Sequence, residues 1–407
     1  MMDNLFEEQY RIVAENARRF AQKNIKPVAA QLDMEELKPF DIAKRAVREL
    51  FGGDSIQSVE ELEKISEDRD ILNASLITIE LAKAAPAIVM AIGASLELCG
   101  ATILSKGTEE QKASYALPLF RGEKVGCFGL TEPEAGSDVM GLKTKAVKSG
   151  DHYLLSGTKT FITNAPDADI FIVYARSNPQ AQGHKGITAF ILERGMPGLE
   201  TSKPLNKMGL RGSPTGEIYM DEVKVPLKNI VGTEHRAFYE LMSTLRIERT
   251  TLPSMAIGIM ERVLDDSVKY AKQRVQFGQN IIFFEGIQFK IARMYLALQH
   301  SYAILFLLAQ MYKAGKDITA IASAAKVYTS EEAVRVCLDA IQIHGGYGYM
   351  KEYEVERFMR DAKLLEIGAG TTEVQLLIMA RSIMMEDQFY FNPMFTPEDK
   401  LDGSRLI

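Results

Sequence analysis

The feature that most constrains this chain is a double change of hydrophobic rhythm. Up to about Lys124 the apolar residues repeat at helical spacing, and "LITIELAKAAPAIVMAIGASLELCGATILSKG" is apolar nearly all round, as in buried helices. From Val125 to about Gly232 the pattern breaks into short β-rich runs: "HYLLSGTKTFITN", "DIFIVYARS", "GITAFILER" and "GEIYMDEVKVP". Gly, Pro, Asn and Asp punctuate them closely, which predicts a small antiparallel barrel or sandwich rather than βαβ units. Helical spacing then returns. In "TTLPSMAIGIMERVLDDSVKYAKQR" the residues Leu252, Met255, Ile259, Val263 and Val268 recur at three- to five-residue spacing, and two further long helices end at Gly315 and at Gly345–Gly346. Short connections between long helices predict a bundle. The fold class is therefore α+β, mostly α. The expected domains are 1–124 (helical), 125–232 (β) and 233–387 (helical bundle), followed by an irregular tail, 388–407.

The bulk properties narrow the function. A net charge of −6 over 407 residues offers no clustered basic surface for nucleic acid. No uninterrupted apolar run reaches membrane-spanning length, and the N-terminus lacks a leader pattern, so a soluble cytoplasmic protein is expected. Cys99, Cys127 and Cys337 are far apart, with no CxxC pair, so neither a disulfide framework nor a metal site is expected. GxGxxG, Walker, HExxH and GxSxG patterns are all absent.

Four stretches remain. "CFGLTEPEAGSD" (Cys127–Asp138) offers backbone N–H groups and short hydroxyls to a polar ring edge, or is a plain helix-to-strand connection. "GTKTFITNA" (Gly157–Ala165) sets an aromatic two residues before Thr163, suited to a planar heterocycle, or is an ordinary strand. "QRVQFG" (Gln273–Gly278) and "QIHGGYGY" (Gln342–Tyr349) end helices in glycine, which permits close backbone approach to a pyrophosphate or simply caps a helix.

Taken in order with "KMGLRGSPTGEIYMDEVKVP" and "RDAKLLEIGAGT", these motifs make the chain resemble the acyl-CoA dehydrogenase family of FAD enzymes, from about Asp3 to Met385. The resemblance implies an N-terminal helical domain, a middle antiparallel β domain and a C-terminal four-helix bundle, assembled as a homotetramer. It implies α-proton abstraction from an acyl-CoA, hydride transfer to flavin N5, and an electron-transfer flavoprotein as partner. By motif match, Phe128, Leu130, Thr131 and Ser137 would contact the flavin. Phe161, Ile162 and Thr163 would flank its ring. Arg274, Phe277, Gln342, Gly345 and Gly346, with Thr371 and Glu373, would hold the adenosine and pyrophosphate, in part those of a neighbouring subunit. Ser137, Tyr239, Arg246, Arg249, Ala369 and Gly370 match acyl-CoA positions, and the Ala369 N–H would bind the thioester carbonyl. Glu285 departs from the pattern: relatives have a FAD-contacting Gln there, and a carboxylate beside a diphosphate is unfavourable unless it points away or pairs.

The base is displaced. Straight-chain members carry it as the Glu of "YEGT", whereas this chain has "GAGT" with Ala369 at that position. Members of the isovaleryl-CoA dehydrogenase type place it on another helix in an "ER" pair, and "LRIERTTL" puts Glu248 there. From the residues alone, Glu248 also reads as a first-turn carboxylate stabilised by a helix dipole. Glu97, inside an apolar helix, is expected either to pair with an Arg or Lys or to act as a second acid/base toward a cyclic acyl group. The segment Glu49–Ile71 is more charged than the family pattern. The resemblance thus implies an FAD-dependent dehydrogenase of a short branched or alicyclic acyl-CoA. The alternatives are a cyclic carboxyl-CoA dehydrogenase using Glu97, and a flavin- and CoA-binding homologue without dehydrogenation.

Overall fold

Both changes of rhythm become changes of architecture. The computed structural model describes residues 8–181 and 185–385, of which 239, 240, 242–249 and 385 are described in backbone only. The tail expected at 388–407 lies outside the described residues.

Helices fill the chain from Glu8–Phe20 to Leu117–Phe120. Thr108 and Gln111, three residues apart, form a reciprocal capping box. The atypical 49–71 segment is ordered by side-chain caps. Ser58 accepts from Glu61 N–H to start Val59–Glu67, and Asp70 accepts from Leu72 and Asn73 to start Ile71–Ala82. Pro86–Gly93 runs on through a π-helical stretch, Ala94–Gly100, into Ala101–Lys106. This run is long and apolar enough to cross a membrane, as is Glu285–Lys313, but most of the first is buried inside the protein.

Eight strands follow: β1 (Gly126–Gly129), β2 (Lys145–Ser149), β3 (His152–Thr163), β4 (Ile170–Arg176), β5 (Ile187–Glu193), β6 (Leu199–Thr201), β7 (Thr215–Pro226) and β8 (Ile230–Val231). They order as β6-β7-β3-β2-β4-β5-β8, with β1 beside β4. Most pairings are antiparallel, as expected. The exceptions are β1 with β4 and the single contact of β2 with β4, which are parallel. β4 explains why its sequence is apolar without alternation. Ile170, Ile172 and Tyr174 join the core shared with the helices, while Phe171, Val173 and Ala175 join a second core inside the β domain. β5 divides its side chains the same way, so both faces of these strands are buried.

The C-terminal part holds helices Ala237–Gln273, Glu285–Lys313, Thr319–His344, Val355–Ile367 and Thr372–Met385. Val355–Ile367 ties the three parts together. Arg360 binds both oxygens of Asp33 at 2.8 and 2.6 Å, and also donates to the Met208 carbonyl at 3.2 Å. Arg357 donates to the Ala84 carbonyl. The fully buried Asp361 accepts the Leu210 N–H at 2.6 Å. Gly209 passes so close that a Cβ there would lie 2.2 Å from the Arg360 carbonyl oxygen. This is why "KMGLRG" has a glycine at that point.

Burial pushes the Asp361 carboxyl up to about 6 from an ordinary 3.8, against the pull of Arg357. A carboxyl whose folded pKa is raised contributes stability at low pH and loses it as pH climbs through the folded value. Asp361→Asn should therefore gain stability relative to the parent as pH rises from about 4 to about 6, reaching roughly 3 kcal/mol at neutrality. Urea denaturation across that range measures it; a difference that does not change with pH would refute the assignment.

Candidate functional site

The two motifs read as flavin contacts are locked to each other. Glu132 and Ala135 exchange backbone hydrogen bonds across Pro133 and Glu134, forming a tight turn. The Glu132 side chain turns inward to the Thr144 N–H at 2.9 Å, the Lys143 N–H, and the Lys159 ammonium at 2.7 Å. Lys159 stands in the middle of "GTKTFITN", is 0% exposed, and also donates to the Leu130 carbonyl at 3.1 Å. Thr160 N–H donates to the Thr131 carbonyl at 2.9 Å. Burial draws the Lys159 pKa down to about 8, with Glu132 opposing, so the group remains a cation at neutral pH. Burial also works against the Glu132 carboxylate, but Lys159 and the hydrogen bonds outweigh it and hold it below the usual range.

β3 shifts register between Lys159 and Ile162, and within that bulge Phe161 takes φ +58° and stands 69% exposed. The bulge re-aims one aromatic side chain outward beside the turn. Thr131 and Thr163 are half-buried, and Ser137 is exposed. Two of the residues expected at the flavin have buried side chains: Ile162 lies in the β core, and Phe128 packs against Tyr174, with ring centroids 5.2 Å apart.

The helix-end motifs meet at a second place. A cavity of about 540 Å³ is lined by Tyr270, Arg274, His344, Gly345, Gly346 and Tyr347, among others. It brings together three of the residues expected at a pyrophosphate. Arg274 lies over the Tyr347 ring at 5.6 Å, and His344 stacks on Tyr270 at 4.4 Å. Burial lowers the His344 pKa, with the Ala340 carbonyl opposing. A Cβ on Gly345 or Gly346 would meet nothing within 4 Å, so these glycines edge open space rather than fill a packing gap. A cationic side chain, an aromatic wall and bare backbone suit an adenosine diphosphate group. Gln342 is exposed beside this cavity, and Phe277 is 95% exposed near the tip of the hairpin that follows Arg274. Glu285 is exposed at the start of its helix, where a carboxylate is favourable.

The third element is the turn after Val355–Ile367. Ala369 has φ +54° and Gly370 φ +86°, both half-buried. Thr371 accepts the Val374 N–H and so caps the next helix. Glu373 is exposed, and hydrogen bonds from its own N–H and from the Thr371 hydroxyl lower its pKa.

Glu248, Tyr239, Arg246 and Arg249 lie within helix Ala237–Gln273, and their side chains are outside the described residues. The backbone still decides one point. Glu248 sits about three turns inside the helix, so first-turn dipole stabilisation does not account for it. Thr251, one turn further, donates to Glu97 at 2.8 Å, and Arg69 binds the same carboxylate oxygen at 2.7 Å. Glu97 therefore has the cationic partner expected of a half-buried carboxylate, and that partner comes from the atypical segment. Lys159, Glu132, Asp361 and Arg69 did not emerge from motif reading. Each stands among polar or charged neighbours, so nothing in the local pattern singles it out.

Comparison with known proteins agrees with this geometry. The acyl-CoA dehydrogenase N-terminal, middle and C-terminal domains match residues 7–123, 127–223 and 237–384. A 3-(aryl)acrylate reductase of Clostridium sporogenes is 38% identical over 93% of this chain and 99% of its own length. Mitochondrial isovaleryl-CoA dehydrogenase of Pongo abelii is 38% identical over 93% of this chain and 89% of its own. A chain in the solved structure described as the electron transferring flavoprotein of Acidaminococcus fermentans superposes with a TM-score of 0.88 at 36% identity, covering 94% of this chain and 99% of that one. Fold and site thus define an FAD-dependent oxidoreductase. More particularly, the chain belongs to the acyl-CoA dehydrogenase family.

The buried ion pair gives a test of the site's scaffold. Lys159→Met strands a buried carboxylate and should cost about 3–5 kcal/mol in chemical denaturation. Adding Glu132→Gln should return at least about half of it, because the desolvated charge is gone. No recovery would mean that Lys159 acts through its packing alone.

Proposed function

We propose that the chain dehydrogenates a short branched or alicyclic acyl-CoA at Cα–Cβ, with Glu248 as the α-proton base. The observation that carries this is the turn Gly368–Gly370. It holds Ala369 where most of the family holds the base, and an alanine takes no proton. Its N–H remains usable as a donor to the thioester carbonyl, whose oxygen gains negative charge as the α-proton leaves. Glu248, well inside its helix, belongs to the stretch that packs through Thr251 against Ala94–Gly100. The missing side chain at Ala369 and the glycine before it leave room for a branch or ring beside the reacting carbons.

The residues of the two locked motifs and of the glycine-edged cavity would hold FAD. When bound, FAD supplies the hydride acceptor. Thr163 and the backbone of the first loop would orient it, and Arg274 with Gly345 and Gly346 would receive a pyrophosphate, in part from a neighbouring copy. Tyr239, Arg246, Arg249 and Ser137 would bind the CoA moiety. The exposed Phe277 suits such a shared site in a homotetramer, and the electron partner is an electron-transfer flavoprotein in the cytoplasm.

The second reading concerns the ring. Likeness to an arylacrylate reductase supports a cyclic acyl group, with Glu97 as a further acid/base. Its engagement by Arg69 and Thr251 instead suits a fixed ion pair bordering the acyl end.

Anaerobic mixing with straight, branched and cyclic acyl-CoAs should bleach the oxidised flavin. Bleaching by none of them would leave a binding homologue as the better reading. Glu248→Gln should retain FAD and lose bleaching by at least about a thousandfold, in line with the loss of a positioned general base. Normal reaction of that variant refutes the base assignment. Glu97→Gln should act like the parent on branched substrates, and a loss confined to cyclic ones would favour the second reading.

A further inference from the structure

Ala369 in a left-handed conformation costs roughly 1–2 kcal/mol, so the surrounding structure must hold it there. Three side chains behind the turn do so. Gln375 Nε2 donates to the Ala369 carbonyl at 2.9 Å and lies 3.4 Å from that of Gly370. Lys326 Nζ donates to the Gly370 carbonyl at 2.8 Å. Ser323 Oγ donates to Gln375 Oε1 at 2.9 Å, which turns the amide so that its N–H groups face the loop. Lys326, Ser323 and Gln375 are all 0% exposed. Ser323 and Lys326 lie three residues apart on Thr319–His344 and so share one face, while Gln375 comes from Thr372–Met385. Gly370 is required here, because a Cβ would stand 2.7 Å from Gln375 Nε2.

The consequence is directional. In a trans peptide the N–H points opposite to the carbonyl. With the carbonyls of Ala369 and Gly370 turned back onto Gln375 and Lys326, the N–H groups of Gly370 and Thr371 turn the other way. The N–H groups of Ala369 and Gly370 have no acceptor among the described residues. A buried ammonium behind the turn adds positive charge on the carbonyl side, in surroundings where charge is poorly screened. Core packing alone does not call for a lysine here, since its neighbours on the same helix face, Ala322 and Ala333, are small and apolar.

We propose that Lys326, fixed in a triad with Gln375 and Ser323, is the positioning residue of the thioester clamp: it holds the peptides on the C-terminal side of Ala369, and through the left-handed φ of Ala369 that hold fixes where the Ala369 N–H points, without Lys326 touching substrate. This rests on the reading of Ala369 as the carbonyl donor. It makes the polarisation of the bound thioester depend on a side chain on the far side of the turn.

The test uses the FAD-loaded protein carrying Glu248→Gln, so that a bound acyl-CoA persists. The probe is isovaleryl-CoA labelled with carbon-13 at the thioester carbonyl, read by infrared difference spectroscopy. The Lys326 parent should move the carbonyl stretch to lower frequency than in free solution. Lys326→Met should remove at least half of that downshift while weakening binding less than about tenfold, and Lys326→Arg should restore part of it. In the background with Glu248 intact, Lys326→Met should lower kcat about tenfold to a hundredfold with little change in KM, somewhat less than loss of an oxyanion donor itself. Ser323→Ala, which leaves the lysine in place, should give a smaller loss of downshift and covers the case in which Lys326→Met does not fold. A full downshift retained in Lys326→Met, or in Ser323→Ala if only that variant folds, overturns the proposal. Absence of any downshift in the parent overturns the clamp reading beneath it, so the two failures are distinguishable.

Discussion

The interaction on which the rest of the molecule depends is the docking of one short helix, Val355–Ile367. Its residues Arg357, Arg360 and Asp361 reach the N-terminal helices, the β-domain loop and each other's neighbourhood within two turns. Ionic groups so deeply placed are unfavourable unless each finds its partner, and here the partners come from different parts of the chain. The helix therefore settles only when the three parts have come together. The turn carrying Ala369 begins where this helix ends, so that turn inherits its position from the junction of the three parts.

A similar logic organises the β-domain side. The tight turn at Glu132–Ala135 and the bulge at Phe161 are each unremarkable as local conformations. What joins them is Lys159, placed under the strand so that its ammonium ties the turn to the bulge. The exposed aromatic is thereby fixed relative to the loop carbonyls and N–H groups. The site is held from behind, by buried charge, in the same way that Lys326 and Gln375 hold the 369–370 turn.

Much of this was legible in the sequence. The helical, β, helical order follows from periodicity, and the capping box and glycine stops mark helix ends because those residue types act locally. The glycine-edged cavity was foreseeable in part, since Arg274, Gly345 and Gly346 come from motifs that end neighbouring helices. The long-range polar contacts were not. Lys159 with Glu132 spans 27 residues, Arg69 with Glu97 spans 28, and Leu210 with Asp361 spans 151. No local rule selects such partners; tertiary burial does. Ile162 and Phe128 show the opposite limit. Both sit in binding motifs, yet strand alternation sends their side chains into the cores, and a motif match does not say which atoms of a residue face the ligand.

The strands β4 and β5 carry a consequence for motion. Each has one row of side chains in the β-domain core and the other in the core shared with the helices. A domain that shares its central strands with its neighbour has no apolar seam along which to open. Rigid-body closure around a ligand would have to pull Ile170, Ile172 and Tyr174 out of the common core, at a cost of about 1.5–3 kcal/mol for each large side chain exposed. Admission of an acyl-CoA thus falls to surface loops and side-chain rotations, and the rate of entry should reflect their local freedom rather than the hinge motion of whole domains.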